Sequence, residues 1–137
     1  MKSTFKIQQP PGVLPPTEVG VQVGALRRLV RESLDDLGLS CIADSAALVV
    51  SELVTNALVH SGGQEGILSL SLRDDRLRIE VHDGVPSYRP VYWSAGAADE
   101  HGRGLVLVNA IADDWRGSWG VSNNGASTWC ELALAAS

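Results

Sequence analysis

Apolar side chains recur at helical spacing along residues 26–60, and from Leu68 onward they recur at every second position. That change of period limits the fold more than any other feature. Leu26, Leu29, Val30, Leu34 and Leu37 share one side of a helix, with Arg27, Arg28, Arg31 and Asp35 between them. Gly38 stops it. A second helix is expected over about residues 42–60, ended by Ser61-Gly62-Gly63. Leu68, Leu70 and Leu72 then alternate with Ser69, Ser71 and Arg73. Beyond an Asp74-Asp75 turn, Leu77, Ile79 and Val81 alternate with Arg78, Glu80 and His82. This pattern predicts a β-hairpin with one buried face.

The rest of the chain completes the outline. Residues 1–17 hold four prolines within P-P-G-V-L-P-P, so they read as an extended arm rather than a helix. Residues 84–104 lack periodicity and read as a long loop, of a length that is usually functional or mobile. A short helix is expected over Leu105–Ala112. Residues 115–121 and 127–134 form a second hairpin around Asn123-Asn124-Gly125, a strong turn signal. The order predicts an α+β chain: residues 18–137 as a single domain, a two-layer sandwich with a mainly antiparallel sheet and helices on one face.

Composition excludes some functions. The net charge of -5 argues against a nucleic-acid surface, and no basic patch with interleaved aromatics is present. No signal peptide and no membrane-spanning apolar run are read from the sequence, so the expectation is a soluble cytoplasmic protein that does not engage a membrane. Cys41 and Cys130 have no metal-ligand spacing and are expected to be buried free thiols. Nor do His60, His82 and His101 have a metal-ligand spacing. Ser51 has no local histidine–aspartate relay, and the four tryptophans read as packing residues.

Four features remain that bear chemistry. Glu52 and Asn56 lie one helical turn apart in S-E-L-V-T-N-A-L-V-H, and His60 extends their stripe. Polar groups on so apolar a helix call for partners, and a phosphate-bound metal ion is one. Asp83, followed by Gly84, continues the parity of Leu77, Ile79 and Val81. It faces the core side, where it either caps the turn or meets a donor such as the exocyclic amine of adenine. Thr128 shares parity with Cys130 and Leu132 and faces inward too, although threonine also suits strands by propensity alone. In H-G-R-G-L, residues 101–105, two glycines flank Arg103 just before an apolar helix, where a backbone can approach phosphate. A simple helix-entry turn has the same pattern.

In order, E-L-V-T-N-A-L-V-H (52–60), H-D-G (82–84), H-G-R-G-L (101–105) and S-T-W-C-E-L (127–132) resemble the motifs of the GHKL ATPase/kinase superfamily. The nearest resemblance is to its small stand-alone bacterial anti-sigma-factor serine/threonine kinases, and it covers about residues 18–134. It implies a Bergerat-type, histidine-kinase-like ATP-binding fold with a mobile lid. By that resemblance Asn56 would hold Mg²⁺ bridging the phosphates of ATP. Glu52 would be the catalytic base toward a serine or threonine of a partner. Asp83 and Gly84 would bind adenine, supported by Thr128. Gly102, Arg103, Gly104 and Leu105 would form the lid hinge and phosphate contacts. The implied partners are a sigma factor and an anti-sigma antagonist, with homodimerisation through surfaces that include the Arg27–Arg28–Arg31 helix.

The chain departs from the pattern in places. Val85, followed by Pro86, stands where a small residue is usual two positions after the aspartate, a second glycine after that motif is missing, and no lysine lies between residues 84 and 104, so phosphate contact would rest on Arg89, Arg103 and backbone. These departures leave two alternatives to a kinase: a non-catalytic module that regulates a partner by reversible association, and a bare ATPase.

Overall fold

A computed structural model describes residues 1–6, 8–9, 12–13, 16–60, 65–84, 100–122 and 126–134, with backbone alone at 8–9, 12–13, 16–17, 60 and 100–104. The elements are β1 (Lys2–Lys6), β2 (Gln8–Gln9), β3 (Gly12–Val13), α1 (Pro16–Asp36), α2 (Ser40–His60), β4 (Glu65–Arg73), β5 (Arg76–His82), α3 (Glu100–Asp114), β6 (Ser118–Ser122) and β7 (Ser127–Ala133). Five strands form one antiparallel sheet in the order β1-β4-β5-β7-β6, and β2 pairs with β3. The α+β class expected from the change of period is the class observed.

Alternation decides which way each strand faces. Leu68, Leu70, Leu77, Ile79, Val81, Cys130 and Leu132 are buried on the face covered by helices. In register, Val81 stands between Leu68 and Thr128, and Ile79 between Leu70 and Cys130. Leu72, at the hairpin's end, is left 45% exposed. The opposite face carries Ser69, Arg78, Glu80, Trp129 and Glu131, and among the described residues no helix packs on it.

α2 is the central helix and packs on α1, α3 and β5. Ala46, Ala47, Val49, Val50, Leu53, Val54, Ala57 and Leu58 are all buried. Contrary to the sequence expectation, α2 is long and apolar enough by composition to cross a membrane, with a mean hydropathy of 1.5. More than half of that window (56%) is buried within the fold, which is the pattern of a core helix.

Two helix ends are closed by the same device. At α1, Leu39 N donates to Leu34 O (2.8 Å) and Gly38 N to Asp35 O (3.0 Å), with Gly38 at φ 75°. At α3, Gly117 N donates to Ala112 O (2.7 Å) and Arg116 N to Asp113 O (3.1 Å), with Arg116 at φ 53°. Both are Schellman caps. Only the first has glycine in the left-handed position, so only the first was visible as a stop signal.

Three expectations need correcting. Within the extended arm expected over 1–17, β1 is extended as expected and forms an edge strand of the main sheet, but α1 already begins at Pro16, where proline suits a first turn. α3 begins at Glu100, five residues before Leu105, so H-G-R-G-L lies inside the helix rather than ahead of it. The glycines at 102 and 104 lower helix propensity and hide that first turn from a periodicity reading. Cys130 is buried as expected, but Cys41 is exposed.

Candidate functional site

Burial along α2 sorts its residues into two sides. One side is the buried stripe above. The other presents Leu48, Glu52, Thr55, Asn56 and Val59, successive turns on one helical face. Glu52, Thr55 and Asn56 are half-buried, whereas Leu48 and Val59 are 43% and 46% exposed. The carboxylate–amide pair therefore sits at the margin of the core, accessible to a ligand, and not deep within it. Burial still acts on it: desolvation holds the Glu52 carboxyl above its ordinary value. A carboxylate that keeps affinity for a proton yet remains open to solvent suits a general base. Leu48 and Val59 belong to the alanine-, valine- and leucine-rich text of this helix, yet they lie outside its buried stripe. Their exposure beside Glu52 gives the site an apolar edge, a feature that helical periodicity over so apolar a segment does not reveal. His60 ends α2, but its side chain lies outside the described residues.

Asp83 follows directly on β5. Its backbone N–H donates to Ala126 O at 2.9 Å, which continues the β5–β7 ladder by one step. The Asp83 side chain is half-buried. Thr128, paired with Val81 on one side and Val121 on the other, is half-buried on the same face and diagonal to Asp83. The two residues are thus diagonal neighbours on adjacent strands at one end of the sheet. Gly84 has φ 75°, a left-handed conformation that side chains resist, so the chain turns sharply just after the aspartate. His82, expected to be exposed, is half-buried, with Nδ1 2.8 Å from Oγ of the buried Ser127 on the opposite face.

Glu100, His101, Gly102 and Arg103 form the first turn of α3, whose backbone N–H groups have no partners within the helix. Gly104 and Leu105 follow in the second turn. Leu105 is 2% exposed, so its side chain anchors α3 in the core and only its backbone remains for the ligand role expected of it. The Arg103 side chain, Val85, Pro86, Arg89 and Trp93 lie outside the described residues, as does the expected lid over 85–99. Two other tryptophans are packing residues: Trp115 Nε1 donates to Ser45 Oγ (3.0 Å) and Trp119 Nε1 to Asn109 Oδ1 (2.9 Å). Among the described residues no cluster of three histidine, cysteine or acidic groups could hold a metal ion.

The order of these parts along the chain matches the family model described as histidine kinase-like ATPase domain over residues 16–129. The chain belongs to that family. No curated protein matches this ATPase domain. Among solved structures, it is similar to the histidine kinase domain of the Erythrobacter litoralis EL346 blue-light activated histidine kinase. The identity is 18%, over 96% of this chain and 67% of that one, with a TM-score of 0.52. At that identity the likeness speaks for the fold alone. Membership implies ATP binding. The residues present fit that ligand: an accessible carboxylate–amide pair, an aspartate at a strand end, and a glycine-containing first turn of a helix.

Proposed function

We propose that the chain is an ATP-dependent serine/threonine protein kinase that regulates a protein partner, acting as an anti-sigma-type regulator on an anti-sigma antagonist. The observation that carries this reading is Glu52, half-buried, raised in proton affinity by desolvation, and one turn from Asn56. When bound, Mg·ATP supplies the phosphoryl group and the charge neutralisation that transfer requires. The chain's own residues do the remaining work. Asn56 presents a neutral amide oxygen suited to a hard cation. Asp83 accepts a hydrogen bond from the adenine amine, and Thr128 steadies it. The first turn of α3, with Arg103, receives phosphate oxygens. Glu52 takes the proton from the hydroxyl of the acceptor serine or threonine. Its partial burial raises the proton affinity that this step uses.

The partners and Mg²⁺ follow from the same resemblance and stand or fall with it. Incubating the chain with radiolabelled ATP and a candidate antagonist tests the reading. The native chain labels the partner, and Glu52→Gln does not. Equal labelling by both would remove Glu52 from the mechanism. A second reading, an ATP-binding module that regulates by association alone, rests on Val85, followed by Pro86, standing where the family pattern has a small residue. It predicts partner binding without label.

A further inference from the structure

On the helix-free face of the sheet, the end of the β4–β5 hairpin frames an open cleft of about 460 Å³. Ser71, Leu72, Arg73, Asp74, Arg76, Arg78 and Glu131 line it. Its three arginines are not equivalent. Arg78 is held in place: Nη1 lies 2.8 Å from Glu131 Oε2, Nε lies 3.1 Å from Glu80 Oε1, and the guanidinium stacks 4.6 Å from the centre of the Trp129 ring. Arg73 and Arg76 have no such support. They pair directly across the ladder, both are exposed, and among the described residues neither forms an ion pair. Like charges placed opposite each other weaken a hairpin. The adjacent turn, Asp74 at φ 55° and Asp75 at φ 59°, brings carboxylates close in sequence without closing a salt bridge to either arginine.

With Arg78 paired to Glu131, the lining sets Arg73 and Arg76 against Asp74, an excess of one positive charge on a chain whose net charge is -5. We propose that it docks an acidic segment of a protein partner, with carboxylates gripped between Arg73 and Arg76. Arginine forks accept carboxylates in this way, and paired forks add orientation to attraction. The chain's negative field disfavours a nucleic acid. Openness and the Asp74 carboxylate at the rim disfavour capture of a small free dianion. Next to the cleft, Trp129 lies over Gly120, where a side chain would meet the ring, and Arg78 stacks upon it. Tryptophan and arginine together on an exposed face are the composition of a protein interface. Glu52 is on α2, which packs on the other face, so an acidic segment held here leaves that face open. The proposal does not depend on the nucleotide-site reading.

Titration of the ¹⁵N-labelled chain with an octaglutamate peptide at low salt tests it. The expected result is saturable shifts at the amides of residues 71–78 and 131, with affinity reduced at least tenfold in the Arg73→Ser/Arg76→Ser double variant. The thermal midpoint of that variant is expected to equal or exceed the native value, because a like-charge pair has been removed. An Arg27→Ser/Arg28→Ser/Arg31→Ser variant is expected to bind the peptide as the native chain does. Three results would overturn the proposal: no saturable shift in the folded chain, unchanged affinity in the double variant, or tighter saturation of the same amides by inorganic phosphate or a short single-stranded oligonucleotide. None of these readouts requires nucleotide.

Discussion

The ring of Phe5 lies flat against the backbone of Gly66, its cross-strand partner, so that even a methyl group on Gly66 would overlap it. Phe5 is the only phenylalanine in the chain and is 5% exposed. An aromatic ring shields a strand glycine from water and adds packing to an edge strand that is otherwise held by its ladder to β4 and by hydrogen bonds between Lys6 and Gln22 of α1. Phe5→Ala is expected to cost about 3 kcal/mol, measured by urea denaturation, with loss of hydrogen-exchange protection confined at first to β1 and β4.

Gly117 is fixed by a different crowding. A Cβ there would overlap the carbonyl oxygen of Glu131 in the neighbouring strand, and backbone cannot move aside as a flexible side chain can. Gly117→Ala is expected to lose roughly 3 kcal/mol. Gly38→Ala, where only the left-handed φ of 75° is at stake and space is open, should lose about 1 kcal/mol. Equal losses in the two denaturation curves would refute this separation of crowding from backbone strain.

The Asp74-Asp75 turn has both residues at positive φ, the type I′ geometry that prefers glycine at its second position. Asp75→Gly is expected to stabilise the hairpin by roughly 1 kcal/mol. A lower denaturation midpoint would show that the Asp75 side chain supports the turn in a way its backbone geometry does not disclose.

Glu52 gives a pH-dependent prediction. Its folded-state proton affinity is raised, so the folded chain binds the proton more tightly than the unfolded chain. Stability is therefore fully present below the ordinary carboxylate value of 4.5 and declines as pH rises through the raised folded value. Glu52→Gln removes that decline. The variant should melt higher than the native chain at pH 8, and the gain should vanish toward pH 4. Phosphoryl transfer should fall by roughly 10²–10⁴ in the same variant. A melting gain that persists unchanged at acid pH would contradict desolvation as its cause.

The change of hydrophobic period was enough to reach the α+β class, because Leu68 to Val81 alternate and α1 buries Leu26, Val30 and Leu34 of its stripe, although Leu37 lies past the helix end and is 59% exposed. Several local features were not legible. β1 holds one large apolar residue, and its place in the sheet depends on the distant Gly66. The start of α3 was hidden by two glycines of low helix propensity. Arg116 closes α3 in a left-handed conformation that no residue preference announces. The site divided in the same way. Strand parity put Asp83 and Thr128 on one face, and helical spacing put Glu52 beside Asn56. Spacing did not reveal that this pair lies at the margin of the core with Leu48 and Val59 exposed around it, nor that the Leu105 side chain is an anchor.

The most direct test of the nucleotide site is calorimetric titration with ATP, with and without Mg²⁺, of the native chain and of Asp83→Asn. Magnesium-dependent binding that weakens about tenfold or more in the variant is the predicted result, as expected for losing a hydrogen bond to a charged group. Absence of ATP binding by the well-folded native chain, or equal binding by both proteins, would contradict it.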